Sequence, residues 1–198
     1  MNYLKKGVFL LAFCTGCSAM AFAQGVYKLN GNARASMMMS GTSSLHKWSM
    51  RSKTFSGNAQ FNFKPGDVTI LTGLNSLTFS LPVLTLKSGE RMLDKNAYKA
   101  LKTNDHKNIL YILTSATLST VQGNRYLLKT HGNLTVAGVT KPIAMDVYCV
   151  VNKDKSISCT GSNKLNMTDY NVKPPTFMAG AMKTGNAITL DFTMVYEK

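Results

Sequence analysis

Ile143-Ala144-Met145-Asp146-Val147-Tyr148-Cys149-Val150-Val151 is the stretch that decides the fold class. Apolar side chains stand at 143, 145, 147, 149 and 151, while Ala144, Asp146 and Tyr148 take alternate places. One apolar face repeating every second residue is the pattern of a half-buried antiparallel strand. The same period runs through Ala33, Ala35, Met37 and Met39, through Leu77, Phe79, Leu81 and Val83, and through Ile188, Leu190, Phe192, Met194 and Tyr196. Residues 109–118 and 127–136 also read as strands, apolar in part on both faces. Lys64-Pro65-Gly66-Asp67, Gln122-Gly123-Asn124, Lys153-Asp154 and Thr184-Gly185-Asn186 supply turns between the runs. The spacing predicts an all-β sandwich or barrel of about eight strands. One segment departs from the period: residues 93–102 read as a short helix, with Asp94 as N-cap and Ala97, Tyr98 and Leu101 on one face. Such a helix can plug or cap a barrel. Residues 164–182 read as a long loop, of the kind that carries function or moves.

The chain has 198 residues, 44% hydrophobic and only 16% charged, enough for one domain with a real core. Its net charge is +14, yet the basic residues are scattered, which argues against a nucleic-acid-binding tail. Residues 1–23 read as a secretory signal peptide. Lys5 and Lys6 precede the apolar run 7–13, and Ala21-Phe22-Ala23 is a small-x-small cleavage site. Residues 24–198 are then the mature domain, in the periplasm or secreted. Two other readings are an uncleaved anchor and lipoprotein processing at Cys17, where Cys14 occupies the position that favours an aliphatic residue. No later stretch is apolar enough to span a bilayer. The mature chain keeps Cys149 and Cys159, either side of a hairpin centred on Asp154. Opposed across that hairpin they are placed for a disulfide; the other reading is two buried thiols.

Four strings now combine: Gly41-Thr42-Ser43-Ser44-Leu45-His46-Lys47-Trp48; Asp94-Lys95-Asn96-Ala97-Tyr98-Lys99-Ala100-Leu101-Lys102; Gly132-Asn133-Leu134-Thr135-Val136-Ala137-Gly138-Val139-Thr140-Lys141-Pro142; and Leu165-Asn166-Met167-Thr168-Asp169-Tyr170. Together they resemble the YceI-like lipid/polyisoprenoid-binding family of exported bacterial proteins. The resemblance implies an extended lipocalin-like antiparallel β-barrel with an apolar tunnel. It also implies a long isoprenoid partner, such as a quinone or polyprenyl phosphate, and a homodimer in some members. An eight-stranded barrel has room for one small ligand. Ten of the 12 methionines lie outside residues 1–23, and flexible thioethers suit a pocket for a long, variable chain.

The expected lipid-lining residues are Leu77, Phe79, Ile143, Met145, Val147, Leu190 and Phe192, covered from the helix by Tyr98 and Leu101. His46 and Trp48, expected on one strand face, are candidates for a polar mouth, with a hydrogen-bonded structural histidine and a core tryptophan as the plainer readings. His46, His106 and His131 show no metal-ligand spacing, and no nucleophile elbow or carboxylate pair stands out. The expectation is therefore a non-enzymatic binder with no metal or cofactor beyond a bound isoprenoid. The basic balance adds an anionic membrane surface as a partner. A structural or surface interaction protein with a side-chain-filled barrel is the alternative. Ala33, Ala35 and Gly161 speak for free space inside.

Overall fold

Each alternating run falls mainly in a strand in the computed structural model, which describes residues 24–31, 34–177 and 182–198, although Ala35 precedes its strand and Val83 opens a 3-10 turn after its own. Residues 1–23, read above as a signal peptide and including Cys17, lie outside the described residues, as does Ala33. The strands are β1 (Gln24–Asn30), β2 (Ser36–Ser43), β3 (Lys47–Ser52), β4 (Ser56–Lys64), β5 (Asp67–Pro82), β6 (Asn108–Gln122), β7 (Arg125–Val136), β8 (Val139–Val151), β9 (Ile157–Asn166), β10 (Thr176–Phe177) and β11 (Met182–Glu197). The helix α1 spans Arg91–Ala100.

Eight strands pair in the order β1-β4-β5-β6-β7-β8-β9-β11, and β11 returns to β1. All of these pairings are antiparallel, so the sheet closes into a barrel. The closure is short, with Lys28 opposite Glu197 and Leu29 opposite Tyr196. Along Thr184 to Thr193 the same edge of β11 is taken by β2, which carries β3 as a hairpin. The turn between β7 and β8 explains the Val136-Ala137-Gly138-Val139 string. Val136 faces Val139, and both intervening residues have positive φ, 49° and 83°. That is the two-residue turn whose twist matches its strands. The bare face of Gly138 also receives the His106 ring, 2.4 Å from where a Cβ would sit.

One end of the barrel is solid. Tyr27, Phe61 and Tyr196 are buried there, with edge-on ring contacts of 5.5 Å from Phe61 to each neighbour. Such pairs add about 0.5–1.5 kcal/mol each beyond the area they bury. Cys149 and Cys159 face one another between β8 and β9, 4.2 Å apart at Cα, and form a disulfide. Gly161 leaves no space: the Phe192 ring covers it, 2.5 Å from an ideal Cβ.

Three local expectations are corrected. The helix starts at Arg91, earlier than residue 93, so Asp94 lies in its first turn and is not the N-cap. Its carboxylate accepts instead from the Ser88 N–H and hydroxyl, at 2.8 and 2.7 Å, tying down the chain before the helix. His46 sits in the turn between β2 and β3 and not on a strand face. Residues 164–166 continue β9. A 3-10 turn (Met167–Tyr170) and β10, paired with β11, then fold the following segment over the barrel's open end.

Replacing Cys149 and Cys159 together by alanine is expected to lower unfolding free energy by about 2–3 kcal/mol, the scale for closing a short loop. Urea titration of the oxidised protein and the double variant checks this. Identical midpoints would show that the crosslink contributes nothing.

Candidate functional site

The hollow part of the barrel has two chambers. The outer one, about 280 Å³, lies at the open end. The inner one, about 110 Å³, rests on the aromatic plug through Phe61 and Tyr196. Met39, Ile109, Leu134 and Leu190 belong to both walls and form a waist between them. β11 runs the full length: Ile188 lines the outer chamber, Leu190 the waist, and Phe192, Met194 and Tyr196 the inner chamber. At about 3.4 Å per residue, those alternate positions extend over about 27 Å.

The walls of the chambers differ in kind. The inner chamber is walled by strand side chains and by Leu86 from the segment after β5. The outer chamber is roofed by three non-ring pieces: the β2–β3 hairpin with Leu45, His46 and Trp48; α1 with Met92, Leu93, Ala97 and Ala100; and the segment after β9 with Met167, Tyr170, Val172 and Pro175. Trp48 can lie across the barrel wall because Gly41 has no side chain; a Cβ there would sit 2.5 Å from the indole. Its Nε1–H donates to the Thr42 carbonyl at 3.1 Å. The Nδ1–H of His46 donates to the Lys47 carbonyl at 2.8 Å, which leaves Nε2 as an acceptor when the ring is neutral. Leu45 and Met92 are about two-thirds exposed at the rim.

Of the residues expected to line the interior, Leu77, Phe79, Ile143, Met145, Val147 and Phe192 are in the inner chamber wall. Leu190 is at the waist and Leu101 in the outer wall, with His46 and Trp48. Tyr98 lines neither chamber. Its hydroxyl donates to the Leu86 carbonyl at 2.7 Å, and Lys87 stands 5.2 Å from its ring. It therefore fastens α1 to the strand-leaving segment before it. Sequence reading missed Tyr111, and it flagged the segment 167–175 only as part of a long loop of the kind that carries function, without naming its lining side chains. The alternation of Leu165, Met167 and, later, Tyr170 and Val172 was the available signal.

Polar groups inside are few. The inner wall offers the hydroxyls of Tyr111, Thr130 and Tyr196. Thr130 donates to the Met145 carbonyl at 3.0 Å. Burial pushes the ionisation of Tyr111, Tyr170 and Tyr196 upward. For Tyr170 the Asp169 charge adds to this; for Tyr111 nearby Thr130 opposes it. Among the described residues no group of three His, Cys, Asp or Glu side chains converges as a metal site, and no helix is long and apolar enough to cross a membrane.

The YceI-like domain model matches residues 27–196, nearly all of the described barrel. The chain belongs to the YceI-like family. Solved structures share the YceI-like fold at low identity. Burkholderia cenocepacia BcnA has a TM-score of 0.63 at 15% identity, covering 82% of this chain and 96% of its own. A polyisoprenoid binding domain from Saccharophagus degradans, implicated in plant cell wall breakdown, has 0.66 at 13%, covering 86% and 97%. The Campylobacter jejuni YCEI protein has 0.52 at 17%, covering 72% and 81%. A comparison with curated proteins gives no match.

The waist makes a length-dependent prediction. Leu190→Trp is expected to cost about 1–3 kcal/mol of stability through overpacking. It should weaken binding of an apolar chain that needs both chambers and spare one that fits the outer chamber. Calorimetric titration with a long and a short chain reads the difference; equal losses would contradict a continuous tunnel.

Proposed function

We propose that this protein binds one long-chain isoprenoid lipid, of quinone or polyprenyl phosphate type, and carries or sequesters it in the cell envelope without chemical change. The observation that carries this reading is a pair of apolar chambers that share the side chains of the waist, the inner one floored by aromatic rings and the outer one at the open end. Ten methylenes moved from water into such walls contribute on the order of 8 kcal/mol before association costs. Few polar anchors are then needed. Eight methionines contribute to the two walls, so the lining can adjust to an irregular branched chain. The polyisoprenoid-binding description of the Saccharophagus relative favours the same ligand class. A side-chain-filled barrel accounts for the plugged end only.

The inner wall carries hydroxyls as its titratable and polar side chains, which suits retention better than acid–base or nucleophilic work. The Cys149–Cys159 disulfide suits an oxidising compartment, in keeping with residues 1–23 as an export signal. Loading from a membrane fits the rim: exposed Leu45 and Met92 project beside exposed Lys47, Arg91 and Lys95, with Glu90 and the half-buried Asp94 as the acids nearby. Apolar tips with basic neighbours favour an anionic lipid surface.

Trp48 is the only tryptophan and lines the outer chamber, so its fluorescence reports occupancy. Titration with a prenylated quinone presented in vesicles should quench it to saturation at one ligand per chain. Loading should be faster from anionic than from neutral vesicles. Absence of saturable quenching contradicts the binding reading; equal loading rates contradict the membrane contact.

A further inference from the structure

Side chains alternate across a strand, so the neighbours of the lining residues point away from the chambers. Met37 and Met39 line the inner chamber, and Met38 between them faces out. Asp191 and Thr193 flank Phe192 in the same way, and Asp146 and Tyr148 flank Val147. Strand register gathers these outward positions into two rows over β3, β2, β11, β9 and β8. Arg51, Met38, Asp191 and Ser162 are successive cross-strand partners in one row. Ser36, Thr193, Thr160 and Tyr148 are partners in the other. Asp146, two residues before Tyr148, extends the first row. Together they line a shallow groove of about 480 Å³ on the outside of the wall. Small-molecule sites run from about 300 to 1,000 Å³.

Its chemistry is unlike that of the chambers. Asp67, Asp94 and Asp154 are held by hydroxyls and backbone N–H groups of nearby residues. Asp146 and Asp191 have no hydrogen-bond or ion-pair partner among the described residues. Lys129 stands opposite Asp146 in register and makes no ion pair with it. Among the described residues the Arg51 side chain donates only to the weak acceptor Sδ of Met38, at 3.6 Å, so most of its N–H groups are free for a ligand. Tyr148 is 54% exposed, the one aromatic among the large exposed hydrophobic side chains of the described residues. A ring with an apolar face and a polar tip suits a partner that is likewise apolar on its faces and polar at its edges.

We propose that this groove binds a short neutral glycan, a β-1,4-linked oligosaccharide lying across the five strands. Each pyranose ring of such a chain has C–H faces and a rim of hydroxyls. A face stacks on Tyr148, hydroxyls donate to the acceptor-only carboxylates of Asp146 and Asp191, and Arg51 donates to sugar oxygens. The serine and threonine hydroxyls between them do either. β3 and β8 are four strand spacings apart, about 19 Å, which takes several sugars rather than one. The β-1,4 linkage keeps the chain extended and flat, as an open sheet face requires, whereas an α-1,4 linkage coils it. Two carboxylates against one guanidinium disfavour an anionic polymer, and among the described residues no third acid joins them to hold a metal ion. The groove and the chambers lie on opposite faces of the wall, so this binding does not depend on a lipid.

The test titrates the isotopically labelled protein with cellotetraose, with its N-acetylglucosamine counterpart and with maltotetraose, and follows the backbone amides by NMR. A β-1,4-linked probe should give saturable shifts at millimolar concentrations on β2, β8, β9 and β11, and maltotetraose should bind about fivefold or more weakly. The tighter of the two β-1,4-linked probes identifies the source as a plain glucan or an amino-sugar glycan. Asp191→Ala should weaken binding about tenfold or more and Tyr148→Ala about three- to tenfold, with thermal melting to confirm folding. Leu190→Trp, in the waist, should leave glycan affinity unchanged. No saturable shifts with either β-1,4-linked probe, unaltered affinity in both groove variants, or equal binding of maltotetraose overturns the proposal. Shifts of the same amides on dilution without sugar would assign the groove to contact between two copies of the chain and overturn it as well.

Discussion

A strand has two hydrogen-bonding edges, and the architecture follows from how β11 divides one of them. Its first edge pairs with β9 from Ala187 to Tyr196. Its second is shared: β2 takes most of it, and β1 has only Leu29 and Lys28 opposite Tyr196 and Glu197. The ring is consequently closed by backbone pairing only near one end. There the circumference is narrow enough for Tyr27, Phe61 and Tyr196 to meet and fill it. Towards the other end, β2 and β3 intervene, and β3, paired with β2 on one edge, meets among the described residues only the Arg51–Lys87 bridge on its other. The gap is covered by side chains from α1 and from residues 167–175 rather than by another strand.

That division separates stability from binding. The solid end holds the buried aromatic contacts, the disulfide and the ring closure. The open end holds the larger chamber, whose roof is a hairpin, a ten-residue helix and an irregular segment. Side-chain packing can readjust around a guest more readily than a strand ladder can, since a ladder would leave backbone groups unsatisfied. Methionine adds to this tolerance. The roof is still fixed at definite points: the Tyr98 hydroxyl on the Leu86 carbonyl, Asp94 on Ser88, and the Asn186 side chain on the Thr168 N–H at 3.0 Å.

The strands were legible because alternation is a one-dimensional signal. Ile188 to Tyr196 reads directly as an inward face, and the structure places all five apolar positions along the tunnel. The pairing of Cys149 with Cys159 was legible for the same reason, since a short hairpin fixes which residues oppose. Fold family was legible from the hairpin, helix and turn strings together. The roof was not. Tyr98 has the spacing of an inward residue, yet two carbonyls outside the helix capture its hydroxyl. Gly161 suggested space, but a tertiary neighbour, Phe192, fills it.

The central claim is that the waist joins two chambers into one tunnel that a lipid chain occupies. The most direct measurement is native mass spectrometry of the protein purified without detergent from its own cell envelope, followed by organic extraction of what is bound. The account predicts a complex of one long-chain isoprenoid per chain. An unliganded mass, with no uptake of added prenylated quinone or polyprenyl phosphate, would contradict it.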